Sequence, residues 1–174
     1  MTAWHEEPIG KHHDRKSFDC GDAELNEFLR KYARQSHDQG GSKTFLAVSD
    51  ANGQSVFGFY SLAPTSIEPD KVPPALRKGL GRHEVPGFRL ARLAVDQTQQ
   101  GQGMGGQLLL AAGRRCLRVA EEVGGGVMAI DAKNDRVADW YKTYGAHSLI
   151  DAPRTLLIPL TTIRAALDAA GHIL

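Results

Sequence analysis

The feature that most constrains this chain is an apolar strand pattern that runs directly into a glycine-rich loop. Residues 88–96 have the composition of a buried strand, and residues 100–106 are Gln-Gly-Gln-Gly-Met-Gly-Gly. Glycines let a ligand approach the backbone closely, and a following helix offers unpaired N–H groups and the positive end of its dipole. The pattern therefore predicts an anion-binding site at the start of a helix over residues 104–123.

Composition is that of an ordinary globular protein. With 174 residues, of which 41% are hydrophobic and 24% charged, the chain can bury a core without disulfides or structural metals, and we expect one domain over residues 1–174. No apolar run approaches the roughly 20 residues of a membrane helix, and the N-terminus is charged where a signal peptide is apolar. We therefore expect a cytoplasmic protein that does not enter a membrane.

Neither the cysteines nor the histidines have the spacing of metal ligands. The two cysteines also lack a disulfide framework, so we expect both to be reduced. We predict no metal site from these residues: Cys20, Cys116, His12, His13, His83 and His147.

Hydrophobic periodicity in the first half predicts one helix and a strand hairpin. Asp22 can cap a helix whose apolar positions recur at i, i+3, i+4 and i+7, namely Leu25, Phe28, Leu29 and Tyr32. Residues 44–48 and 56–62 are strand-like and flank Asp-Ala-Asn-Gly at 50–53, a strong hairpin signal. Prolines interrupt the next segment, in which residues 75–80 can form at most a short helix.

The second half alternates helices and strands. After the helix over residues 104–123 come a buried strand at 127–130, a helix capped by Asn134 and ended by Gly145, and strands at 149–150 and 155–158. Thr161 or Thr162 can cap a last helix that stops at Gly171. Together these elements predict an α/β (α+β) fold with a mixed central sheet and helices on both faces.

Two nucleotide-binding interpretations of the loop fit poorly. A phosphate-binding P-loop needs Gly-Lys followed by Ser or Thr, and the sequence at Gly105, Gly106 and Gln107 supplies no lysine or hydroxyl. A dinucleotide fingerprint is matched by the three glycines 101, 103 and 106, with Asp131 at the end of the next strand. The loop, however, follows an antiparallel hairpin rather than opening the fold, which argues against a dinucleotide-binding domain.

The third interpretation is a coenzyme A site. Gln100-x-x-Gly103-x-Gly105 after the strand, together with Asn-x3-Ala-x2-Tyr-x3-Gly over residues 134–145, resembles the GNAT superfamily of N-acetyltransferases. The resemblance implies the GNAT fold, with the acetyl-CoA pyrophosphate on the glycine loop and the pantetheine arm along the edge of the central strand. It implies these coenzyme-binding residues: Leu93, Ala94, Val95, Gln100, Gly101, Gln102, Gly103, Met104, Gly105, Gly106, Gln107 and Asn134.

Further motifs narrow the resemblance to one group within that superfamily. His-Asp-Arg-x-x-Phe-Asp-Cys-Gly at residues 13–21, Leu-Asn-x-Phe-Leu at 25–29 and Arg-Thr-Leu at 154–156 are similar to the GNAT toxins of type II toxin–antitoxin modules. This resemblance implies acetylation of the α-amino group of aminoacyl-tRNA and a block of translation. It also implies a homodimer and a ribbon-helix-helix antitoxin as partners.

Acid–base chemistry is compatible with such an acceptor. A lysine amine titrates near 10.4 and must first lose a proton, whereas an α-amine titrates at about 7.7 to 8.0, so a substantial fraction is already neutral. The predicted central strand carries no acid over residues 88–95, which favours an α-amine, although Glu84, Asp131 or a water chain could serve as the base.

The resemblance makes Tyr141 the expected catalytic residue, because the matching tyrosine lies beside the coenzyme sulfur and can protonate the leaving thiolate. Arg89, Arg92 and Lys142 are candidates for substrate contacts, since cationic side chains can approach tRNA phosphates. A small-molecule or protein amine remains an alternative acceptor. A coenzyme-binding module without catalytic activity is a further alternative.

Overall fold

The computed structural model describes residues 2–78 and 83–171, and over these ranges it contains seven strands and six α-helices. The strands are β1 Trp4–Pro8, β2 Lys43–Ser49, β3 Val56–Ile67, β4 Val85–Val95, β5 Val127–Asp131, β6 His147–Leu149 and β7 Ala152–Pro159. The helices are α1 Ala23–Glu27, α2 Ala33–Asp38, α3 Pro74–Arg77, α4 Met104–Val123, α5 Asp135–Lys142 and α6 Leu160–Ala169. None of these helices has both the length and the apolar composition needed to cross a membrane.

The strands form one mixed sheet, as the sequence predicts. Their order in the sheet is β1-β2-β3-β4-β5-β7-β6. Antiparallel pairing joins β1 to β2, β2 to β3, β5 to β7, and β6 to β7. The pair β4 and β5 is parallel, with a register that runs from Gly87 beside Val127 to Leu90 beside Ile130. A parallel pair needs a long crossover, and α4 provides it.

The described residues divide into two compact units, each with its own core. In the first, residues 2–63 and 92–109, the ring of Phe59 packs edge-on against Phe18 at 5.5 Å and stacks with Phe28 at 6.1 Å. In the second, residues 64–78, 83–91 and 110–171, a cluster of aliphatic side chains is buried. Its members include Ile67, Val72, Val85, Val127 and Leu157.

Local sequence signals place most helices correctly. Helix α4 has the predicted bounds, and Asp22 caps α1 by accepting from the backbone N–H of Glu24 and Leu25. A π-helical turn, Phe28–Tyr32, separates α1 from α2. Since a π turn adds a residue per turn, it rotates the following side chains away from the apolar face, and Tyr32 is 54% exposed rather than packed.

One prediction is wrong, one strand was not predicted, and one predicted helix can be compared only in part. The polar segment β1 is a strand because its backbone pairs with β2, and the sequence pattern did not predict it. Helix α6 begins at Leu160 with Pro159 at the capping position, so neither Thr161 nor Thr162 is the cap. The predicted short helix at residues 75–80 corresponds to α3 as far as Arg77, and residues 79 and 80 lie outside the described residues.

A short ionic contact connects β1 to the turn after β2. The His5 ring lies with Nδ1 2.5 Å from Asp50 Oδ1 and Nε2 2.5 Å from Glu7 Oε2. Because both partners are carboxylates, both ring nitrogens must donate, and His5 is held as an imidazolium. The pKa of His5 is raised, first by the hydrogen bond to Asp50 and then by that to Glu7, whereas the pKa of Glu7 is lowered, chiefly by His5.

We predict that the stabilisation from His5 depends on pH. Since the folded pKa is raised, the contribution is complete below the unfolded value of about 6.5 and is lost as the pH rises through the folded value. Replacing His5→Gln should therefore lower the thermal unfolding midpoint more at about pH 6 than at about pH 8.5. The other groups around Glu7 are His12 and His13, and they are unchanged in this variant.

The matched control is His147→Gln, which removes an exposed histidine on β6. An equal loss of midpoint at both pH values for the His5 variant would contradict an ionic role for the contact.

We further predict that Gly87 cannot be replaced. A Cβ at Gly87 would lie 2.4 Å from the backbone oxygen of Val127, which the β4–β5 ladder holds in place, so Gly87→Ala should lower the free energy of unfolding by roughly 2 kcal/mol or more. A Cβ at Gly10 would have His12 Nδ1 as its nearest neighbour, at 3.2 Å, and the exposed His12 side chain can move away.

Chemical denaturation of both variants makes the comparison, with Gly10→Ala as the control for an added methyl group. A Gly87→Ala protein as stable as the Gly10→Ala protein would show that the β4–β5 ladder shifts to admit the methyl group at little cost.

Candidate functional site

The glycine loop lies between a short 3-10 turn, Gln97–Gln99, and the start of α4, and residues 100–103 are exposed. Gly101 and Gly103 have φ of 78° and 86°, a conformation that is strained for any residue with a Cβ. Nothing lies within 4 Å of where either Cβ would be. The space beside the loop is therefore open, and the backbone can be approached.

Helix α4 presents its first backbone donors to this space. The N–H of Gln107 donates to Gly103 O at 3.2 Å, whereas the helix offers no internal acceptor to the N–H groups of Met104, Gly105 and Gly106. Met104 is 1% exposed and fixes the first turn. The arrangement has the donors and the dipole that a diphosphate requires, and it brings together the predicted residues 100–107.

The last part of β4 precedes this loop. Leu93 and Val95 are half-buried and Ala94 is 6% exposed. The register of β4 with β5 ends at Leu90 and Ile130, so it includes none of the three residues. This is the segment for which the sequence predicts pairing with an extended ligand.

Tyr141 lies on α5 and is 4% exposed. Its ring packs edge-on against Trp140 at 4.9 Å, and Trp140 also contacts Tyr144 at 5.0 Å. Burial raises the pKa of the Tyr141 phenol, because the charged phenolate would lose its hydration. The hydroxyl therefore keeps its proton at neutral pH and can act as a hydrogen-bond donor or an acid, but not as a base.

Asn134 is the cap of α5. Its side-chain oxygen accepts from the backbone N–H of Val137 at 2.9 Å, which satisfies one of the unpaired donors at the helix start. The capping role predicted from the sequence is thus present, and the contact with coenzyme stays a prediction.

Two of the predicted substrate-binding cations are already engaged. Arg89 Nη1 lies 2.7 Å and 2.6 Å from the two carboxylate oxygens of Asp131, a close ion pair at the surface. The Arg92 guanidinium lies over the Phe28 ring, 3.7 Å from its centroid. Lys142 is exposed, and its Nζ lies 3.7 Å from Asp139 Oδ1. The ion pair with Arg89 also occupies the carboxylate of Asp131, one of the candidate bases.

Within the described residues, one group of side chains has the types and separations of metal ligands, namely Glu7, His12 and His13. Glu7 Oε1 lies 3.1 Å from His13 Nε2 and 3.3 Å from His12 Nε2. The backbone N–H of Gly10, however, donates to His13 Nδ1, so the proton of this ring is on Nε2 and points at Glu7. A metal-bound histidine has the opposite polarity, and the donor set therefore fits a hydrogen-bonded cluster better than a metal.

Sequence patterns did not predict the contacts that surround the loop. Gln100 Nε2 donates to Val95 O at 2.8 Å and to Cys20 O at 3.0 Å, and Asp96 Oδ1 accepts from the N–H of Asp19 at 2.9 Å. The bonds to Cys20 and from Asp19 join residues that are 80 and 77 positions apart in the sequence. Contacts between such distant residues cannot be predicted from hydrophobic periodicity or from a short motif.

Comparison with known proteins gives a consistent result. No protein-family model matches the chain. A curated relative, the tRNA-acetylating toxin of Mycobacterium tuberculosis (strain ATCC 25618 / H37Rv), is 34% identical over 152 residues, which is 87% of this chain and 89% of the relative.

Solved structures are similar over nearly the whole chain. A tyrosine-to-phenylalanine mutant of KacT superimposes with a TM-score of 0.87 at 26% identity, over 94% of this chain and 98% of that one. AtaT complexed with acetyl-methionyl-tRNAfMet gives a TM-score of 0.87 at 24% identity, over 95% and 99%. A tyrosine-to-phenylalanine mutant of AtaT bound to the C-terminus of the antitoxin AtaR and to acetyl-CoA gives 0.80 at 23% identity, over 94% and 98%.

Proposed function

Since this chain belongs to the family of tRNA-acetylating toxins, which are GNAT N-acetyltransferases, we propose that it acetylates the α-amino group of an aminoacyl-tRNA and so stops translation. The observation that carries the proposal is the exposed turn of glycines and helix-start N–H groups at residues 100–107. Acetyl-CoA is the acetyl donor of this family of enzymes, and its diphosphate is an anion of the size that such a turn binds.

We propose that the chain uses its backbone to hold and polarise the thioester. The pantetheine arm would pair with the edge of β4 at Leu93, Ala94 and Val95, beyond the end of the β4–β5 register. A backbone N–H of that segment would bind the oxygen that becomes negative when the amine attacks the thioester carbon. Collapse of that adduct forms the amide, breaks the carbon–sulfur bond and releases a thiolate.

Tyr141 would supply the proton that this thiolate takes up. Burial raises the pKa of this phenol, so the hydroxyl stays protonated at neutral pH and can donate a hydrogen bond to the thiolate as it forms. The proton lost by the attacking amine goes to water or to a base.

Electrostatics favour an α-amine over a lysine as the acceptor. Strand β4 carries no carboxylate, and the carboxylate of Asp131 is paired with Arg89. With no base on the central strand, the reaction would depend more on the fraction of amine that is already neutral, which is far larger for an α-amine than for lysine. Lys142, which is exposed, is available to contact tRNA phosphate.

Partners follow from the same family. We propose that a small ribbon-helix-helix antitoxin neutralises the protein, that it works in the cytoplasm as a homodimer, and that residues 1–174 act as a single N-acetyltransferase domain. An antitoxin is supported by the complex of AtaT with AtaR, and a block of translation needs a cytoplasmic enzyme.

We predict that Tyr141→Phe lowers kcat for acetyl transfer by about 10²- to 10⁴-fold, because it removes a general acid. The dissociation constant of acetyl-CoA should change by no more than about twofold, since the backbone carries that affinity. Tyr144→Phe, on the same segment but 38% exposed, is the matched control and should turn over like the parent protein. Normal turnover by Tyr141→Phe would remove the proposed acid role.

We also predict that labelled acetyl groups from acetyl-CoA appear on total aminoacylated tRNA. Deacylated tRNA and tRNA carrying formyl-methionine should take up none, because neither has a free α-amine. Label that appears on polyamines or protein amines and never on charged tRNA would show an acetyltransferase with a different acceptor.

A further inference from the structure

The conformation of the glycine loop cannot come from its own side chains. Gly101 and Gly103 adopt left-handed φ values, and neither has an atom within 4 Å of its Cβ position. Such a segment needs contacts at its ends to keep one conformation. Without them it would sample many conformations, and binding a ligand would cost the entropy of ordering it. Buried Met104 fixes the end that enters the helix.

The other end is fixed by Gln100. Its side-chain amide donates two hydrogen bonds, one to the carbonyl of Val95 at the end of β4 and one to the carbonyl of Cys20. These two bonds engage the amide nitrogen of Gln100 with the protein. The carbonyl of Cys20 can orient Gln100 only if Cys20 itself is held.

Backbone bonds hold the segment of residues 18–22 against the end of β4. The N–H of Asp19 donates to Asp96 Oδ1 at 2.9 Å, and the carbonyl of Asp19 accepts from the N–H of Gln97 at 2.8 Å. Asp96 also accepts from the N–H and hydroxyl of Thr98 through its second oxygen. The two segments are thus joined in both directions at the point where the loop begins.

Asn26, on α1, makes hydrogen bonds to the segment of residues 18–22. Its Oδ1 accepts from the N–H of Cys20 at 2.9 Å, and its Nδ2 donates to Asp19 Oδ1 at 2.9 Å. The same Asp19 oxygen accepts from the N–H of Gly21, which has φ of 88°. Asn26 therefore fixes the peptide that precedes Cys20, and Asp19 fixes the peptide whose carbonyl accepts from Gln100.

We propose that Asn26 and Asp19 are positioning residues for coenzyme binding, acting through Cys20 and Gln100 on the glycine loop. The proposal rests on the coenzyme site assigned above and deepens it. Asn26 and Asp19 hold the N-terminal segment in place, and this segment in turn holds the start of the loop. Their loss therefore lowers the affinity for coenzyme A without removing any atom that contacts the coenzyme.

Calorimetric titration of coenzyme A into the purified protein tests this. Asn26→Ala removes an acceptor and a donor, and alanine suits the helix, so we expect coenzyme A to bind about tenfold more weakly. The matched control is Asn52→Ala. Asn52 accepts from two backbone N–H groups, whereas Asn26 accepts from one, and the amide of each donates once. Asn52 lies in the β2–β3 turn, so its loss should leave coenzyme affinity unchanged.

Substitutions at Asp19 distinguish the positioning role from a simple effect of charge. Asp19→Ala should weaken coenzyme A binding as Asn26→Ala does, although loss of a negative charge by itself favours an anion. Asp19→Asn keeps the acceptor oxygen and should retain affinity. In a Gln100→Met background the effect of Asn26→Ala should largely disappear, because both act through one chain of bonds. Thermal unfolding curves confirm that each variant is folded, and Asp19→Ala replaces Asn26→Ala if that variant is not.

The possible outcomes distinguish failure of the positioning role from failure of the proposed function. If folded Asn26→Ala and Asp19→Ala both bind coenzyme A with wild-type affinity, the positioning role is overturned and the acetyltransferase assignment stays intact. Equal weakening by Asn26→Ala and Asn52→Ala also overturns it, since a general loss of stability would then explain both. A parent protein that does not bind coenzyme A at all overturns the proposed function itself.

Discussion

Helix α4 starts beside the end of β4 because β3 has no side chain at Gly58. A Cβ there would lie 2.9 Å from the carbonyl of Ala94 and 2.8 Å from the side chain of Leu108, so only glycine permits this close approach. Leu108 and Met104, both fully buried, then anchor the first turns of the helix. The exposed donors of the glycine loop depend on this packing, because the direction of the helix sets where its N–H groups point.

Under the proposed function, an anion at this loop would be held by backbone dipoles rather than by cations. The chain carries a net charge of only +1, and two of its arginines near the proposed site are occupied, one by Asp131 and one by the ring of Phe28. Backbone donors can bind a diphosphate without the excess of lysine and arginine that a nucleic-acid-binding module usually carries. A near-neutral protein can therefore still have a firm anion site, and tRNA contacts need only a few exposed cations.

Local signals were sufficient for much of the fold. The bounds of α4, the caps at Asp22 and Asn134, and the β2–β3 hairpin all follow from residues within a few positions of one another. The edge strand β1 does not, because a polar segment becomes a strand only through pairing with a neighbour. The π turn at Phe28–Tyr32 likewise changes the phase of a helix without a local marker.

For the site, the sequence predicted the loop but not what holds it. Glycine spacing identifies a turn that a ligand can approach, whereas the bonds of Asp19 with Asp96 and of Gln100 with Cys20 connect distant segments. Those bonds exist only once the two segments have been brought together by the core around Phe18 and Phe59. The ion pair between Arg89 and Asp131 was also unpredicted, because the two residues are 42 positions apart.

A binding surface made of main-chain amides has an unusual tolerance to sequence drift. Exchanging one side chain for another at Gln102 or Gln107 leaves the N–H where it was, so an anion meets the same surface. Only proline, which lacks the hydrogen, or a branched residue forced into the left-handed region at Gly101 or Gly103 would damage it. Chains that share about a quarter of their residues can therefore keep one chemistry while most of their surface diverges.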